Sequence, residues 1–362
     1  MDINIILQDD PYSLDKARKE KLLTKGLVEL TRKHYATSLY YKKMMDSIGL
    51  DYEKIQTFHD LPFLPVRMFK ELELLSVPME SIVKTMTSSG TSGQQVSKIF
   101  LDRETSSLQT KVLNKIVSDF IGKKRVPMLI LDSSSVVKDR AMFSARGAGI
   151  LGFSMFGTQR IYALDENMNL DIDAIKFFLD VHQEETIFLY GFTFMIWQHF
   201  YKELIKTGYR PDLSKAILIH GGGWKKLLTE SVSPTEFKKC LNELCGIGVD
   251  NIHDYYGMVE QTGTIYMECQ YGHLHTSNFS DVIIRRPLDF SVADIHEKGI
   301  IEVVSLLPQS YPGHVLLTED EGVVLGEDDC PCGRKGKYFK IFGRIKNAEI
   351  RGCSDTYATK FK

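Results

Sequence analysis

Cysteine is scarce and confined in this chain. Of 362 residues, six are cysteine, at positions 240, 245, 269, 330, 332 and 353, all in the last third. That excludes a disulfide-framed secreted scaffold and, in a reducing compartment, points to ligands or reactive thiols. Long apolar runs are missing: none approaches the ~18 residues that a membrane span needs. The opening Met1-Asp2-Ile3-Asn4 lacks the basic start and apolar core of a signal peptide. A soluble, cytoplasmic protein is expected. Charge of one sign is missing too. The 45 Lys+Arg against 47 Asp+Glu leave a net charge of −2, which gives no general reason to expect nucleic acid or an acidic membrane as partner. There is no internal repeat, no low-complexity segment and no long Pro/Gly/Ser linker, so subdomains packed as one body are expected.

What is present is a globular composition, with 43% hydrophobic and 25% charged residues. It excludes global disorder and a collagen-like or coiled-coil chain. The length suggests two to three structural units, at roughly 150 residues each. Residues 13–48 read as helical, with Leu22, Leu23, Leu27, Leu30 and Thr31 at helical spacing. Leu61-Pro62-Phe63-Leu64-Pro65 ends that pattern, because proline opposes continued helix. Short apolar strands then alternate with helical stretches. Val126–Leu131 ends in Asp132 and serines, Thr186–Tyr190 in Gly191, Ala216–His220 in three glycines and Asn251–Tyr256 in Gly257. Continuous apolar strands of this kind predict a parallel sheet covered by helices, with ligands at the carboxyl ends of its strands. From Thr264 onward, 281–286, 299–306 and 315–318 read as antiparallel elements of a small barrel.

The strand-end loops carry the chemistry. Thr87-Ser88-Ser89-Gly90-Thr91-Ser92-Gly93 is a run of small and hydroxylated residues that cannot build a core. It is either a flexible linker or a loop whose hydroxyl and N–H donors cradle an anion such as triphosphate. In Asp254-Tyr255-Tyr256-Gly257-Met258-Val259-Glu260, an aromatic pair at a strand end can stack on a base, and Glu260 can hold Mg²⁺ beside phosphates. A buried tyrosine and a surface glutamate would also explain it. Gly221-Gly222-Gly223 lets backbone approach a ring or phosphate, or simply makes a tight turn. Thr318-Glu319-Asp320, followed by Gly343-Arg344, offers a carboxylate for the two hydroxyls of a ribose and an arginine for nearby oxygens.

Cys269, His275, Cys330 and Cys332, with His273 as a substitute ligand, form two donor clusters suited to a structural Zn²⁺. Unmetallated thiols in turns are the competing reading. Cys240 and Cys245 fall on an expected helix and read as packing residues. His220 and His253, at strand ends, read as structural hydrogen-bonders.

Taken in this order, the loops resemble the adenylate-forming superfamily of acyl- and aryl-CoA ligases. Ser88–Gly93 resembles its phosphate loop, Tyr256-Gly257 with Glu260 its Tyr-Gly-x-Thr-Glu motif, Thr318-x-Asp320 its Thr-x-Asp, and Gly343-Arg344 its hinge-proximal Gly-Arg. Within the superfamily the chain is most similar to the short acyl-protein synthetases of bacterial bioluminescence operons. That likeness includes Glu268-Cys269, Arg285-Arg286-Pro287, Cys330-Pro331-Cys332-Gly333 and Arg351-Gly352-Cys353. The resemblance implies an α/β fold of the adenylate-forming N-terminal-domain type, helix-covered sheets plus a small β-barrel, with most of the usual C-terminal domain absent. On that reading residues 1–343 are one adenylate-forming domain, with subdomains at roughly 1–263 and 264–343, and 344–362 are a tail.

The resemblance also implies roles. Ser88, Ser89, Gly90, Thr91, Ser92 and Gly93 would hold the ATP phosphates. Tyr255 and Tyr256, with Gly221, Gly222 and Gly223 alongside and Gly257 following, would hold adenine. Glu260 would ligate Mg²⁺, Asp320 the ribose, and Arg344 would lie nearby. Phe192, Phe194 and Trp197 would fall near an acyl pocket, or are ordinary core.

Three features depart from the superfamily pattern. Val259 stands where a hydroxyl residue precedes the motif glutamate, with Thr262 the nearby hydroxyl. The loop continues Gln94-Gln95-Val96-Ser97-Lys98 in place of Pro-Lys, so Lys98 is not assigned the usual lysine's part. Eighteen residues follow Arg344, where full-length ligases carry a mobile domain with a catalytic lysine. The short synthetases share that brevity.

The expected reaction is ATP-dependent activation of a carboxylic acid, in all expectation a fatty acid, to acyl-AMP. Transfer to Cys353 and on to a reductase-like protein partner follows. Alternatives are an acyl- or aryl-CoA ligase using free CoA, a nucleotide-binding module without catalysis, and a zinc-stabilised interaction protein.

Overall fold

The computed structural model describes residues 6–88, 96–137, 145–224 and 230–345. Its strands, in chain order, begin with β1 (Leu64–Pro65), β2 (Ile82–Thr87), β3 (Lys98–Asp102), β4 (Val126–Ser133) and β5 (Gly157–Leu164). They continue with β6 (Ile187–Phe192), β7 (Ala216–Gly221), β8 (Ile252–Tyr256), β9 (Tyr266–Glu268) and β10 (Leu274–His275). The series ends with β11 (Ser280–Arg285), β12 (Gly299–Ser305), β13 (Val315–Glu327) and β14 (Lys337–Arg344). The chain divides into two compact units. One is Met1–Ile116, Gly257–Tyr266 and His273–Lys362; the other is Val117–Tyr256 and Met267–Gly272. The change of strand character expected at Thr264 thus falls inside the first unit.

In the second unit, β4 to β8 run parallel in the order β8-β7-β6-β4-β5. The four apolar runs read from the sequence are β4, β6, β7 and β8. β5 carries half-exposed polar residues and lacks that signature. Leu129, Leu131, Leu189 and Leu218 of the strands pack with Ile196, Phe200, Phe237 and Leu241 of the covering helices. The helix Pro234–Cys245 shows why it forms where it does. Ser233 caps it by accepting from the Glu236 N–H, Pro234 opens it, and Gly246 at φ 75° closes it in the left-handed conformation that glycine adopts without strain.

In the first unit the pairing is antiparallel, in the order β11-β12-β13-β14-β10. β1 lies parallel to β13, and β2 pairs with β3 as a separate hairpin. Among the described residues no pairing closes β11 onto β10, so the strands expected as a small barrel follow an open path, with register shifts in β12–β13 and β13–β14. The helical reading of 13–48 resolves into two helices, Lys16–Thr37 and Leu39–Ser47, broken at Ser38 in extended conformation. The first buries Leu23, Leu27, Leu30 and Thr31, and on the same face Lys19 and His34. Lys19 Nζ donates to Thr276 Oγ1 at 2.6 Å and lies 3.4 Å from Asp281, which Lys337 also approaches at 3.5 Å. Arg285 forms a two-pronged pair with the fully buried Glu302, at 2.7 and 3.1 Å. No helix among the described residues is long and apolar enough to cross a membrane.

Candidate active site and metal cluster

Several of the expected site residues lie at strand ends of the second unit. Gly221 ends β7, and a Cβ there would meet the Tyr255 ring at 2.7 Å, so the absence of a side chain is what lets that ring lie flat on the strand. Gly222, at φ 84°, would meet Phe192 at 2.5 Å. Tyr255 is bound into the interior: its hydroxyl lies 3.0 Å from that of Tyr190, and both rings pack on Phe153. Desolvation pushes the Tyr255 phenol up to about 12, so it stays protonated at neutral pH. Tyr256, next along β8, is half-buried, and because side chains alternate along a strand it faces the other side from Tyr255.

Two further groups flank these ends. His220 Nδ1 is 2.9 Å from Thr193 Oγ1, while its buried Nε2 has no hydrogen-bond partner; burial pulls its pKa down to about 3. Asp132, at the end of β4, is fully buried and held by Arg146 at 2.9 and 3.0 Å. Phe192 and Trp197 are buried, and Trp197 stacks on Tyr201 at 4.4 Å within the apolar core. Phe194 is half-buried. His253 bonds the Glu268 carbonyl at 2.9 Å, the structural role read for it. Cys245 packs in the core, and Cys240 lies half-buried on the same helix.

The remaining expected residues lie in the first unit. Ser88 and Ser97 close the β2–β3 hairpin: the Ser88 N–H donates to the Ser97 carbonyl at 3.1 Å, and Ser88 Oγ accepts from the Ser97 N–H at 2.9 Å. Ser88, the first residue of the expected phosphate loop, thus continues the β2–β3 pairing. The loop's Ser89, Gly90, Thr91, Ser92 and Gly93 lie outside the described residues, as does Cys353.

Glu260 sits on the short turn Val259–Gln261 after Gly257, and its carbonyl accepts from the Tyr311 hydroxyl at 2.9 Å. A Cβ at Gly313 would strike both that carbonyl, at 2.9 Å, and the Tyr311 ring, at 2.3 Å. Burial pushes the Glu260 carboxyl up, against the opposing pull of Ser97 and of the Lys70 and Arg344 charges. Thr262, beside Val259, spends its hydroxyl on the Val259 carbonyl at 2.8 Å.

Asp320 on β13 and Arg344 on β14 are cross-strand partners in register, although 24 positions apart in sequence. Thr318 donates its hydroxyl to the Ile301 carbonyl at 2.7 Å and accepts from the Asp320 N–H at 3.1 Å, which fixes the Thr-x-Asp backbone. Gly343, at φ 112°, precedes the arginine. Lys98 points to Glu73, 3.5 Å away, both exposed.

Cys269, His275, Cys330 and Cys332 bring their donor atoms within 4.8 Å of one another. Two turns of the same design present the three thiols, and β10 presents His275. In Cys269–Gly272 and in Cys330–Gly333 the glycine N–H bonds back to the cysteine carbonyl at 2.9 Å, and both glycines take positive φ, 76° and 82°. Tetrahedral Zn²⁺ with sulfur ligands at about 2.3 Å would set donors about 3.8 Å apart, close to this arrangement. His273 stands outside the quartet, its Nδ1 3.3 Å from Cys330 Sγ and its ring stacked on Tyr338. Burial lowers the His275 pKa to about 3, which keeps the imidazole neutral.

A family model described as "Acyl-protein synthetase, LuxE" matches residues 2–362. The chain belongs to this acyl-protein synthetase family. A long-chain-fatty-acid–luciferin-component ligase of Vibrio harveyi is 23% identical over 364 residues, covering 95% of this chain and 89% of the relative. Its counterpart from Aliivibrio fischeri is 24% identical over 371 residues, covering 97% and 92%. Among solved structures, 2-hydroxyisobutyryl-CoA ligase in its postadenylation state, in complex with R3-HIB-AMP, aligns with a TM-score of 0.70 at 15% identity, over 92% of this chain and 69% of that one. The open conformation of that ligase, in complex with 2-HIB-AMP and CoA, gives the same score over 92% and 71%. The fold of the synthetase is therefore that of the adenylate-forming ligases. As an acyl-protein synthetase it is an AMP-forming ligase: it activates an acyl group with ATP.

Sequence reading did not single out Tyr190 or the Asp132–Arg146 pair, which pack and pair at these strand ends. Asp132 carried a signal, a carboxylate at the end of an apolar strand. Tyr190 carried none, since a strand tyrosine is an ordinary residue until its neighbours are known.

Proposed function

We propose that the synthetase activates a long-chain fatty acid as acyl-AMP, takes the acyl group onto Cys353 as a thioester and passes it to a thiol of a protein partner. The observation that carries this reading is the register pairing of Asp320 with Arg344 beside the anchored Thr318, in a chain matched over its whole length by the family. A carboxylate is a poor electrophile, because attack adds negative charge to an anion. In the first step a carboxylate oxygen attacks the α-phosphorus of ATP and pyrophosphate leaves. In the second, the Cys353 thiolate attacks the acyl carbon and AMP leaves. The first step requires positioned donors and charge, and no covalent residue of the protein.

Asp320 is suited to the ribose hydroxyls, with Arg344 beside it. Tyr256 is suited to adenine, while Tyr255 and Gly221–Gly223 shape the strand ends beside it. The donors at Ser88–Gly93 are suited to the phosphates. Glu260 would hold Mg²⁺, which when bound draws charge from the phosphate oxygens; a buried carboxylate that makes no ion pair with a cationic side chain among the described residues suits that role. The Cys/His quartet suits a structural Zn²⁺, since three thiols and one imidazole match that ion's ligand preference. The purified protein should carry about one zinc per chain, and Cys330→Ser should lower both zinc content and melting temperature. Zinc-free protein of unchanged stability would count against the ion. Residues 1–343 are taken as the adenylate-forming domain and 344–362 as the tail that carries the thiol, in the cytoplasm.

The defining test uses Cys353→Ser. It should keep fatty-acid-dependent pyrophosphate exchange into ATP and lose covalent labelling by radioactive fatty acid. Labelling that survives the substitution refutes the assigned thiol. Formation of acyl-CoA on adding CoA, without acyl-protein, would make the enzyme a CoA ligase.

A further inference from the structure

We propose that Lys70 supplies the ammonium that binds the ATP phosphates at this site, the part that the sequence assigns to no lysine. The inference rests on the reading above that ATP is bound here. It begins with β1. This two-residue strand lies parallel to β13, with Leu64 beside Leu316 and Pro65 beside Leu317, and the Val66 N–H extends the pairing to the Leu317 carbonyl at 2.9 Å. The chain therefore leaves β13 one residue short of Thr318, at the end of that strand that carries Asp320 and its partner Arg344.

There it turns into the short helix Met68–Glu71. Phe69 of that turn is buried and sets its ring edge-on to Tyr311, with centroids 5.9 Å apart at 86°. Tyr311 in turn holds the Glu260 carbonyl. One aromatic contact thus ties the helix to the residue that anchors the motif glutamate. Lys70 follows Phe69 and projects outward, exposed.

Two of the cations at this end have partners. Lys98 is drawn to Glu73 at 3.5 Å, and Arg344 lies 3.9 Å from Glu319. Lys70 makes no ion pair among the described residues. An ammonium carried on the helix that Phe69 and Tyr311 tie to the Glu260 turn, with no carboxylate paired to it, is open to an anion bound there. A triphosphate fits that description, and a lysine serves as a point charge for it.

The test measures Mg·ATP binding by calorimetry on the full-length protein, independently of turnover. Lys70→Met should weaken Mg·ATP at least ten-fold while AMP affinity changes less than two-fold, because AMP lacks the β- and γ-phosphates. Lys70→Arg should restore most of the loss. Lys206→Met, which removes an exposed lysine of the other unit, should have no effect. Lys70→Met binding Mg·ATP as tightly as wild type overturns the assignment of Lys70 alone. Wild-type protein that fails to bind Mg·ATP overturns the reading of the site, and this proposal with it.

Discussion

The apolar cluster of the second unit and the buried charges of the first are held in different ways, although the second also buries Asp132 against Arg146 and pairs Lys238 with Glu268. The second closes on an aliphatic and aromatic cluster drawn from its parallel strands and covering helices. The first places charges inside: Lys19, Asp281 and Glu302 are at most 2% exposed, and Arg285 is only slightly more so. An apolar cluster is held by area removed from water and tolerates reshaping. A buried ion pair depends on both partners, because taking one away leaves a charge in a place that cannot solvate it. Removing one partner of a buried pair should therefore cause abrupt failure where truncating the apolar cluster causes gradual loss.

The largest expected effect follows from that contrast. Glu302→Leu strands the Arg285 guanidinium and should cost about 3–5 kcal/mol in urea unfolding. The double change Arg285→Met/Glu302→Leu should recover much of it, since both charges are then gone. A single change that costs no more than the double one would erase the distinction between the two kinds of burial. In the second unit, Leu218→Ala removes a fully buried side chain from the cluster and should cost about 3 kcal/mol, read in the same assay.

A third expectation concerns acid. His34 and His314 face each other in the first unit with ring centroids 4.8 Å apart. His34 bonds Ser76 and the Pro308 carbonyl, and His314 bonds Thr31; Tyr41 packs on both rings, and Lys33 adds a repelling charge. Burial holds His34 well below the ordinary histidine value and His314 at about 3. The unfolded chain, with imidazoles near 6.5, binds more protons than the folded one, so stability falls as pH drops below that value and levels off near pH 3. Between pH 7 and pH 5 the loss from His314 should be about 2 kcal/mol, with a further loss of the same sign from His34. His314→Gln should flatten the slope, and an unchanged slope would show that the ring is not buried neutral.

The smallest effect belongs at the strand ends. Gly221→Ala sets a methyl group against the Tyr255 ring and should cost about 1–3 kcal/mol. The same substitution at the open Gly208, whose cost comes from its positive φ alone, should cost less. Equal costs at the two positions would remove the argument for close approach at Gly221.

The same contrast explains what the sequence made legible. Strands β4, β6, β7 and β8 announced themselves because both faces are covered, so their apolar runs are unbroken. β5 stayed hidden because its residues are polar and half-exposed. The Cys/His quartet was readable because rare donor types cluster in two short segments, each closed by a glycine. The helix Lys16–Thr37 was readable by its leucines. Nothing in that stripe reveals that Lys19 belongs to its buried face, because the partner carboxylate, Asp281, lies 262 positions away. Tyr255 and Tyr256 looked equivalent as a pair; only the contacts with Gly221 and Tyr190 show that the first is committed to packing.

The most direct test of the account is exchange of labelled pyrophosphate into ATP by the purified protein, with and without a long-chain fatty acid. Exchange that appears only when the fatty acid is present is the predicted result. ATP binding accompanied by no acid-dependent exchange would contradict it.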